Sequence, residues 1–235
     1  MSRKLIVCNL GEIKYQEAWD LQKKYFQQRT LGNVEDILFI CEHPHTYTLG
    51  KVAHKENLLL NKSELTEKGI ETFEIDRGGD ITYHGPGQIV GYAILNLENW
   101  KKDTHLYLRS LEQTLINTCS DYGLDSERNE KFTGVWIENR KICAIGIKIS
   151  RWITMHGFAF NVNTDLNLFN GIIPCGITDK EVTTLSKELK RIINIDEVKK
   201  VVVENFKKVF EYEQYDLLKL SELELSISKK LKGQL

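Results

Sequence analysis

The chain opens on an apolar burst, Leu5-Ile6-Val7-Cys8, and residues 4–9 read as a strand. The spacing then turns helical. An amphipathic helix is predicted over residues 12–31, with Tyr15, Ala18, Trp19 and Phe26 on one face. Ile37 to Cys41 reads as a strand ended by Pro44, and residues 70–75 and 88–97 read as two more. Leu108, Leu111, Leu115, Cys119 and Tyr122 follow at intervals of 3, 4, 4 and 3. That is a helix, with Asp103 as its N-cap and Gly123 as its C′ residue. Val135-Trp136-Ile137, a polar turn at Glu138-Asn139-Arg140 and a strand through Ile149 predict a hairpin, and a further strand covers about 153–162. Val198, Val202, Phe206 and Val209 form a helical stripe in the last third, and residues 218–235 read as a loosely held tail. Strands crowd the centre and helices sit at either end. The pattern is not a regular βαβα alternation, so the fold class is α+β.

Composition narrows the function classes. A length of 235 residues predicts one domain, and 41% apolar with 28% charged residues is ordinary for a globular protein. The formal net charge of −1 argues against a nucleic-acid coat or a polybasic membrane protein. No apolar run reaches the ~18–20 residues of a membrane helix. Residues 1–7 lack the apolar core of a signal peptide, so they are expected to belong to the first strand. Five cysteines, odd in number and without CxxC spacing, argue against a disulfide scaffold or a structural zinc site and point to a reducing cytoplasm.

The three prolines lie in His43-Pro44-His45, His84-Gly85-Pro86-Gly87 and Pro174-Cys175-Gly176, each beside a reactive side chain. The stretch from Arg77 to Gln88 holds glycines at 78, 79, 85 and 87, which permit positive φ and close approach to a ligand. Arg77 could clamp an anion there, and His84 could relay a proton. On composition alone, a pair of tight turns flanking a strand explains the stretch equally well. It is neither a Walker loop nor a dinucleotide fingerprint. Cys41, His43 and His45 alternate as metal ligands could, but Pro44 interrupts them and no fourth ligand is evident.

Cys8, Cys41, Cys119 and Cys143 lie in apolar-patterned elements and read as small core residues. Cys175 lies in a Pro/Gly-flanked loop. As a nucleophile it needs an activator, for which Lys141, Lys148, His84 and His156 are the candidates. Residues 139–164 carry Arg140, Lys141, Lys148 and Arg151 and no acidic side chain until Asp165. This is either a solvated hairpin face or a docking surface for an acidic partner. Strand parity puts Lys141 with Cys143, Ile145, Ile147 and Ile149, the apolar set, unless a bulge at Gly146 shifts the alternation. An inward lysine is costly, which suggests a task. His156, between Phe158 and the hairpin, reads as a core histidine before a catalytic one.

Three blocks together resemble the lipoate-protein ligase B family, the octanoyl-carrier-protein:protein octanoyltransferases. They are Arg77-Gly78-Gly79 through Thr82-Tyr83-His84-Gly85-Pro86-Gly87-Gln88; Thr133 to Ile137, Lys141 to Gly146 and His156 to Asn163; and Pro174-Cys175-Gly176-Ile177. Glu42-His43-Pro44 and Tyr47 to Gly50 are similar too. The order and spacing match over about residues 5–190. The resemblance implies a single catalytic domain, residues 1–212, with a mixed central sheet flanked by helices as in biotin- and lipoate-protein ligases. Residues 213–235 are then an extension, helical or loosely ordered.

It implies Cys175 as nucleophile and Lys141 as its partner. Substrate-binding residues are Arg77, Gly78, Gly79, Asp80, Ile81, Thr82, Tyr83, His84, Ala144, Ile145, Gly146, Gly157, Phe158 and Ala159. The donor is octanoyl-acyl carrier protein, whose phosphopantetheine delivers the acyl group, so no further cofactor and no metal is expected. Acceptors are lipoyl domains of 2-oxo-acid dehydrogenase complexes and the glycine cleavage H protein. Three competing readings are an ATP-dependent lipoate- or biotin-type ligase, against which the Cys175 block argues; a non-catalytic lipoyl-domain binder, which needs neither Cys175 nor Lys141; and a thioesterase using Cys175 with His84 or His156, which releases free octanoate.

Overall fold

The structure, a computed structural model, describes residues 3–173 and 181–232. Its centre is a mixed sheet. Strand β1 (Leu5–Glu12) is followed by helix α1 (Tyr15–Thr30) and strand β2 (Asp36–Glu42), which lies parallel to β1. Strands β3 (Thr46–Leu49), β4 (Glu71–Glu74) and β5 (Ile81–His84) form a separate small sheet in the order β4-β3-β5, and helix α2 (Lys62–Glu67) lies between β3 and β4. The chain returns to the large sheet as β6 (Gln88–Ile94), antiparallel to β2. Helix α3 (Thr104–Asp121) leads to β7 (Glu127–Arg128), β8 (Val135–Ile137), β9 (Arg140–Ser150) and β10 (Ile153–Asn161). Then come β11 (Glu181–Val182), α4 (Leu185–Leu189), α5 (Ile195–Val209), β12 (Tyr215–Leu217) and α6 (Leu220–Lys232). Among the described residues the large sheet runs β12-β1-β2-β6-β10-β9-β8-β7, with β11 also paired to β9.

Alternation along the strands builds two cores. Leu5 and Val7 of β1 join Leu38, Ile40, Ile89 and Ala93 beneath α3 and α5, while Ile6 and Cys8 join Ile37, Phe39 and Cys41 beneath α1 and α6. The predicted helix 104–121 starts where its cap says it should. The Asp103 carboxylate accepts from the N–H groups of His105 and Leu106, and Gly123 takes φ 75° past its end. Helix α1 differs from expectation in the face it buries. Tyr15 and Ala18 are buried, but the stripe continues through Gln22, Tyr25 and Arg29, leaving Trp19 and Phe26 at its flank. A buried Arg29 is tolerated because its Nε donates to the Asp36 carboxylate at 2.9 Å, a pairing that hydrophobic periodicity does not register.

The described part of the stretch set apart from residue 213 adds β12 in parallel register to β1 and lays Leu223 and Ile227 into the core beneath α1. Among the described residues no helix is long and apolar enough to cross a membrane.

Candidate active site

A cavity of about 350 Å³ lies between the large sheet and the small one. Its floor is made by β6, β9 and β10. Ala144 stands opposite Ala159, which stands opposite Val90; Gly146 stands opposite Gly157, which stands opposite Tyr92. Residues paired across antiparallel strands share a face, so these small side chains line one strip of floor. No side chain could replace Gly157 without cost, since a Cβ there would lie 2.2 Å from the Gly91 carbonyl oxygen. At Gly146 a Cβ would lie 2.7 Å from Arg77 Cδ. This is where floor and roof meet.

The roof is the Asp76–Asp80 loop, with β5 continuing the wall. Gly78 donates its N–H to the Ile147 carbonyl of β9 at 2.9 Å. The Arg77 guanidinium donates to the Thr48 carbonyl at 2.8 Å, to Thr48 Oγ1 and to the Gly78 carbonyl. Asp80 accepts from Asn57 Nδ2 at 2.6 Å and from the N–H groups of Ile81 and His54. Gly79 and Gly87 take φ 89° and 79°, the positive values anticipated for this stretch, and β5 between them is the strand that the tight-turn reading expects.

A polar wall joins roof to floor. His84 Nδ1 donates to Gln88 Oε1 at 2.9 Å, which leaves Nε2 to accept from Thr48 Oγ1. Gln88 Nε2 donates to Asn161 Oδ1 at 2.9 Å, and Asn161 Nδ2 donates to the Thr183 carbonyl. Burial holds His84 down to about 3, with neighbouring His43 adding to the effect, so its ring is neutral and serves as structure. His43 is held down to about 4 by burial. Its ring nitrogens are occupied by the Ile13 carbonyl and the Tyr92 hydroxyl. Among the described residues no group of three His, Cys, Asp or Glu side chains could hold a metal ion.

Lys141 lines the cavity and is 9% exposed, its Nζ 4.8 Å from the centre of the Trp136 ring. The route by which it arrives there corrects the parity argument. Pairing from β9 to β10 runs without a break past Gly146, so no bulge occurs at that position. The register slips instead between β8 and β9: Val135 faces Cys143, but Trp136 faces Lys141. The extra residue lets Ile142 and Cys143 both enter the core beneath α3 and α5. Beyond the slip, Lys141 lines the cavity with the even-numbered residues Ala144 and Gly146.

Two of the other cations of the basic run are engaged, while Arg151 is exposed at the turn between β9 and β10. Lys148 pairs with Asp76, and Arg140 with Glu138 and Glu188. The acid-free stretch of sequence is therefore not an open positive face. Its counter-ions come from elsewhere in the chain.

Arg77, Gly78, Gly79, Asp80, Ile81, Thr82, His84, Lys141, Ala144, Ile145, Gly146, Gly157, Phe158 and Ala159 are thus brought together on one cavity. Tyr83 is not among them. Its ring packs between Tyr47 and Phe169 in the core of the small sheet, and its hydroxyl bonds to His45 Nδ1. Cys175 lies outside the described residues. On either side of that segment the chain is tied to the site: Ile173 donates its N–H to the Asn57 carbonyl, and Val182 lines the cavity in register with Lys141. Sequence reasoning missed Tyr15, Tyr92, Asn161 and Leu108, which complete the walls. In the sequence they belong to ordinary core patterns, and no local signal separates them.

The remaining cysteines are buried. Burial pushes Cys8 up to about 11, with Glu222 adding to it, and Cys119 up to about 12; Cys41 and Cys143 are also raised by burial. None of these four is suited to be a thiolate nucleophile.

Comparison with known proteins agrees with this geometry. A protein named octanoyltransferase from Christiangramia forsetii is 48% identical over 231 residues, covering 91% of this chain and 98% of that protein. Another of the same name, from Flavobacterium johnsoniae, is also 48% identical over 231 residues, covering 91% of this chain and 99% of that one. A crystal structure of lipoate-protein ligase A bound with ATP superposes with a TM-score of 0.74 at 17% identity, covering 99% of this chain and 95% of that one, which shows a shared fold. The sequence model of the lipoyl protein ligase A/B catalytic domain matches residues 14–207. The chain belongs to the lipoyl protein ligase A/B catalytic domain family.

Proposed function

We propose that this protein is an octanoyltransferase that moves an octanoyl group from a thioester on acyl carrier protein to a lysine ε-amine of a lipoyl domain. The observation that carries the reading is Lys141, a nearly buried side chain at a cavity with a floor of small apolar residues, in register with the strand by which the chain returns from the Cys175 segment. The names of the relatives at 48% identity support the same reaction.

The Cys175 thiolate attacks the octanoyl carbonyl. A C–S bond forms to the enzyme, and the carrier's phosphopantetheine leaves as a thiol after taking a proton. Thioester exchange is nearly isoenergetic and needs no nucleotide. The lipoyl-domain amine then attacks the octanoyl-enzyme, forming the amide and returning the Cys175 thiol. Lys141, as an ammonium, stabilises the thiolate electrostatically and gives its proton to the departing phosphopantetheine sulfur; as a neutral amine it then accepts the proton of the incoming lysine and passes it to the Cys175 sulfur that leaves. The small residues Ala144, Gly146, Gly157 and Ala159 leave room for the eight-carbon chain. Lipoyl domains of 2-oxo-acid dehydrogenase complexes and the glycine cleavage H protein are the acceptors, in the cytoplasm.

Intact-mass spectrometry after mixing with octanoyl-acyl carrier protein, without ATP, tests this. An octanoyl adduct is expected on the wild type and absent from Cys175→Ala, and it moves to an apo lipoyl domain when that is added. Lys141→Ala should slow adduct formation by about 100-fold. Modification that appears only with free octanoate and ATP would overturn the proposal in favour of a ligase. An adduct formed at the wild-type rate by Lys141→Ala would overturn the role of the lysine.

A further inference from the structure

His156 sits inside β10 with φ 61°, a left-handed value that a strand residue other than glycine rarely takes. Its neighbours alternate in the usual way. Met155 and Ala159 enter the core beneath α1, and Phe158 and Phe160 enter the core beneath α3 and α5. Regular alternation would send His156 with Phe158. The local twist instead carries the ring toward the cavity roof, where Nε2 lies 2.8 Å from Asp76 Oδ1. The backbone N–H of His156 donates to Gln22 Oε1 of α1 at 2.9 Å, and Gln22 is fully buried. Backbone strain of this kind persists only where its surroundings over-determine it, and such strain clusters at functional sites.

The other carboxylate oxygen of Asp76 accepts from Lys148 Nζ of β9. Both oxygens of one carboxylate are therefore held by neighbouring strands of the floor. Asp76 is the residue next to Arg77. Fixing it fixes the start of the loop whose Gly78 N–H reaches the Ile147 carbonyl and whose Arg77 side chain lies over Gly146. His156 itself is 2% exposed and lines the cavity.

We propose that Asp76, His156 and Lys148 form a latch that sets the Arg77–Asp80 loop at its working height above the floor, which makes His156 a positioning residue for the acyl donor. This rests on the octanoyl-transfer reading of the same cavity. The latch acts on donor binding: with Asp76 released, the roof lifts from Gly146, and the acyl chain loses one wall. The chemistry at Cys175 and Lys141 is untouched once the donor is seated.

The test uses the full chain and three variants. His156→Gly suits the left-handed backbone, so the strand is retained while the latch is lost. His156→Gln offers an amide N–H in place of Nε2. Lys148→Met removes the second tie to Asp76. Two readouts are taken. The first is amide hydrogen exchange in residues 76–80. The second is the rate of octanoyl adduct formation against donor concentration, from which half-saturation and maximal rate are separated.

In His156→Gly, exchange in 76–80 should rise about tenfold with the rest of the sheet unchanged, as expected for losing a charge-assisted hydrogen bond. The half-saturating donor concentration should rise by about tenfold and the maximal rate by less than threefold either way, on the same estimate. Lys148→Met should shift both in the same direction by less, and His156→Gln should recover most of the loss. Unchanged exchange in 76–80 with unchanged half-saturation in His156→Gly would overturn the proposal. So would a defect confined to the maximal rate, or a His156→Gln variant as impaired as His156→Gly. If the wild type forms no adduct, the octanoyl-transfer reading fails, while loop exchange still decides whether the latch exists.

Discussion

The floor and the roof of the cavity are held by different kinds of contact. Gly157 and Ala159 stand on β10, bonded to β6 on one side and β9 on the other, and Ala144 and Gly146 stand on β9, bonded to β10, so their positions follow from the ladder. The loop from Asp76 to Asp80 has Gly78 N–H bonded to the floor at Ile147 and the carbonyls of Arg77, Gly79 and Asp80 accepting from the N–H groups of Lys51, Val52 and Gly50, and side chains complete its ties: Asp76 to His156 and Lys148, Arg77 to Thr48, Asp80 to Asn57. A floor of this type resists any added atom. A roof held in part by side chains shifts more readily when one of them changes. The difference teaches that the cavity's width is set below by side chains no larger than a methyl group and above by a loop that charged hydrogen bonds help to hold.

The largest expected effect is on the floor. In Gly157→Ala the new Cβ meets the Gly91 carbonyl oxygen at 2.2 Å, backbone against backbone, and urea unfolding should show a loss of about 3 kcal/mol. A loss under 1 kcal/mol would mean that the ladder yields and that floor and roof are alike.

The wall between them titrates. His43 and His84 are buried and neutral, held to about 4 and about 3. The unfolded chain takes up protons at these sites below about pH 6.5, while the folded protein does not. Stability therefore falls as pH drops from 6.5, by roughly 1 kcal/mol for each histidine per pH unit, until the folded values are reached. Urea midpoints measured from pH 7.5 to 5 should decline accordingly; a flat profile would show that the wall opens and lets the rings charge.

Gly146→Ala probes the seam. Its Cβ would meet Arg77 Cδ at 2.7 Å and the Gly78 carbonyl at 3.0 Å, contacts that a loop can relieve by moving. The stability loss should be about 1 kcal/mol, with acyl loading slowed by about tenfold as the roof is displaced. A stability loss as large as that of Gly157→Ala would make the roof as stiff as the floor.

Much of the fold was legible in the chain. The helix from Thr104 follows from its stripe and from Asp103, and the β8–β9–β10 order follows from the polar turn at Glu138-Asn139-Arg140 and the separate apolar run that starts at about 153. The strand Thr46–Leu49 leaves no alternation in the sequence, because all four of its residues are buried, between β4 and β5. The buried face of α1 departs from its apolar stripe for a related reason. Gln22 and Arg29 are inside because Gln22 Oε1 accepts from the His156 N–H, 134 residues away, and Arg29 donates to the Asp36 carboxylate, which lies beyond the helix on the next strand.

By itself the sequence determined which residue types are available for the chemistry and where: a lysine opening one strand, a cysteine between proline and glycine, and glycines and alanines at the places where backbone and ligand need space. Composition, turn residues and apolar spacing also decided the fold class, because each is a local property of a short stretch. Tertiary structure decided what these residues meet. It turned Lys141 to the cavity by a slip of register against β8, neutralised Arg140 and Lys148 with carboxylates from other elements, set Tyr83 away from the site, and twisted His156 to Asp76 across 80 residues of chain. The physical reason is that side-chain direction in a strand depends on every pairing before it, and the cost of a buried charge depends on a partner that only folding brings near.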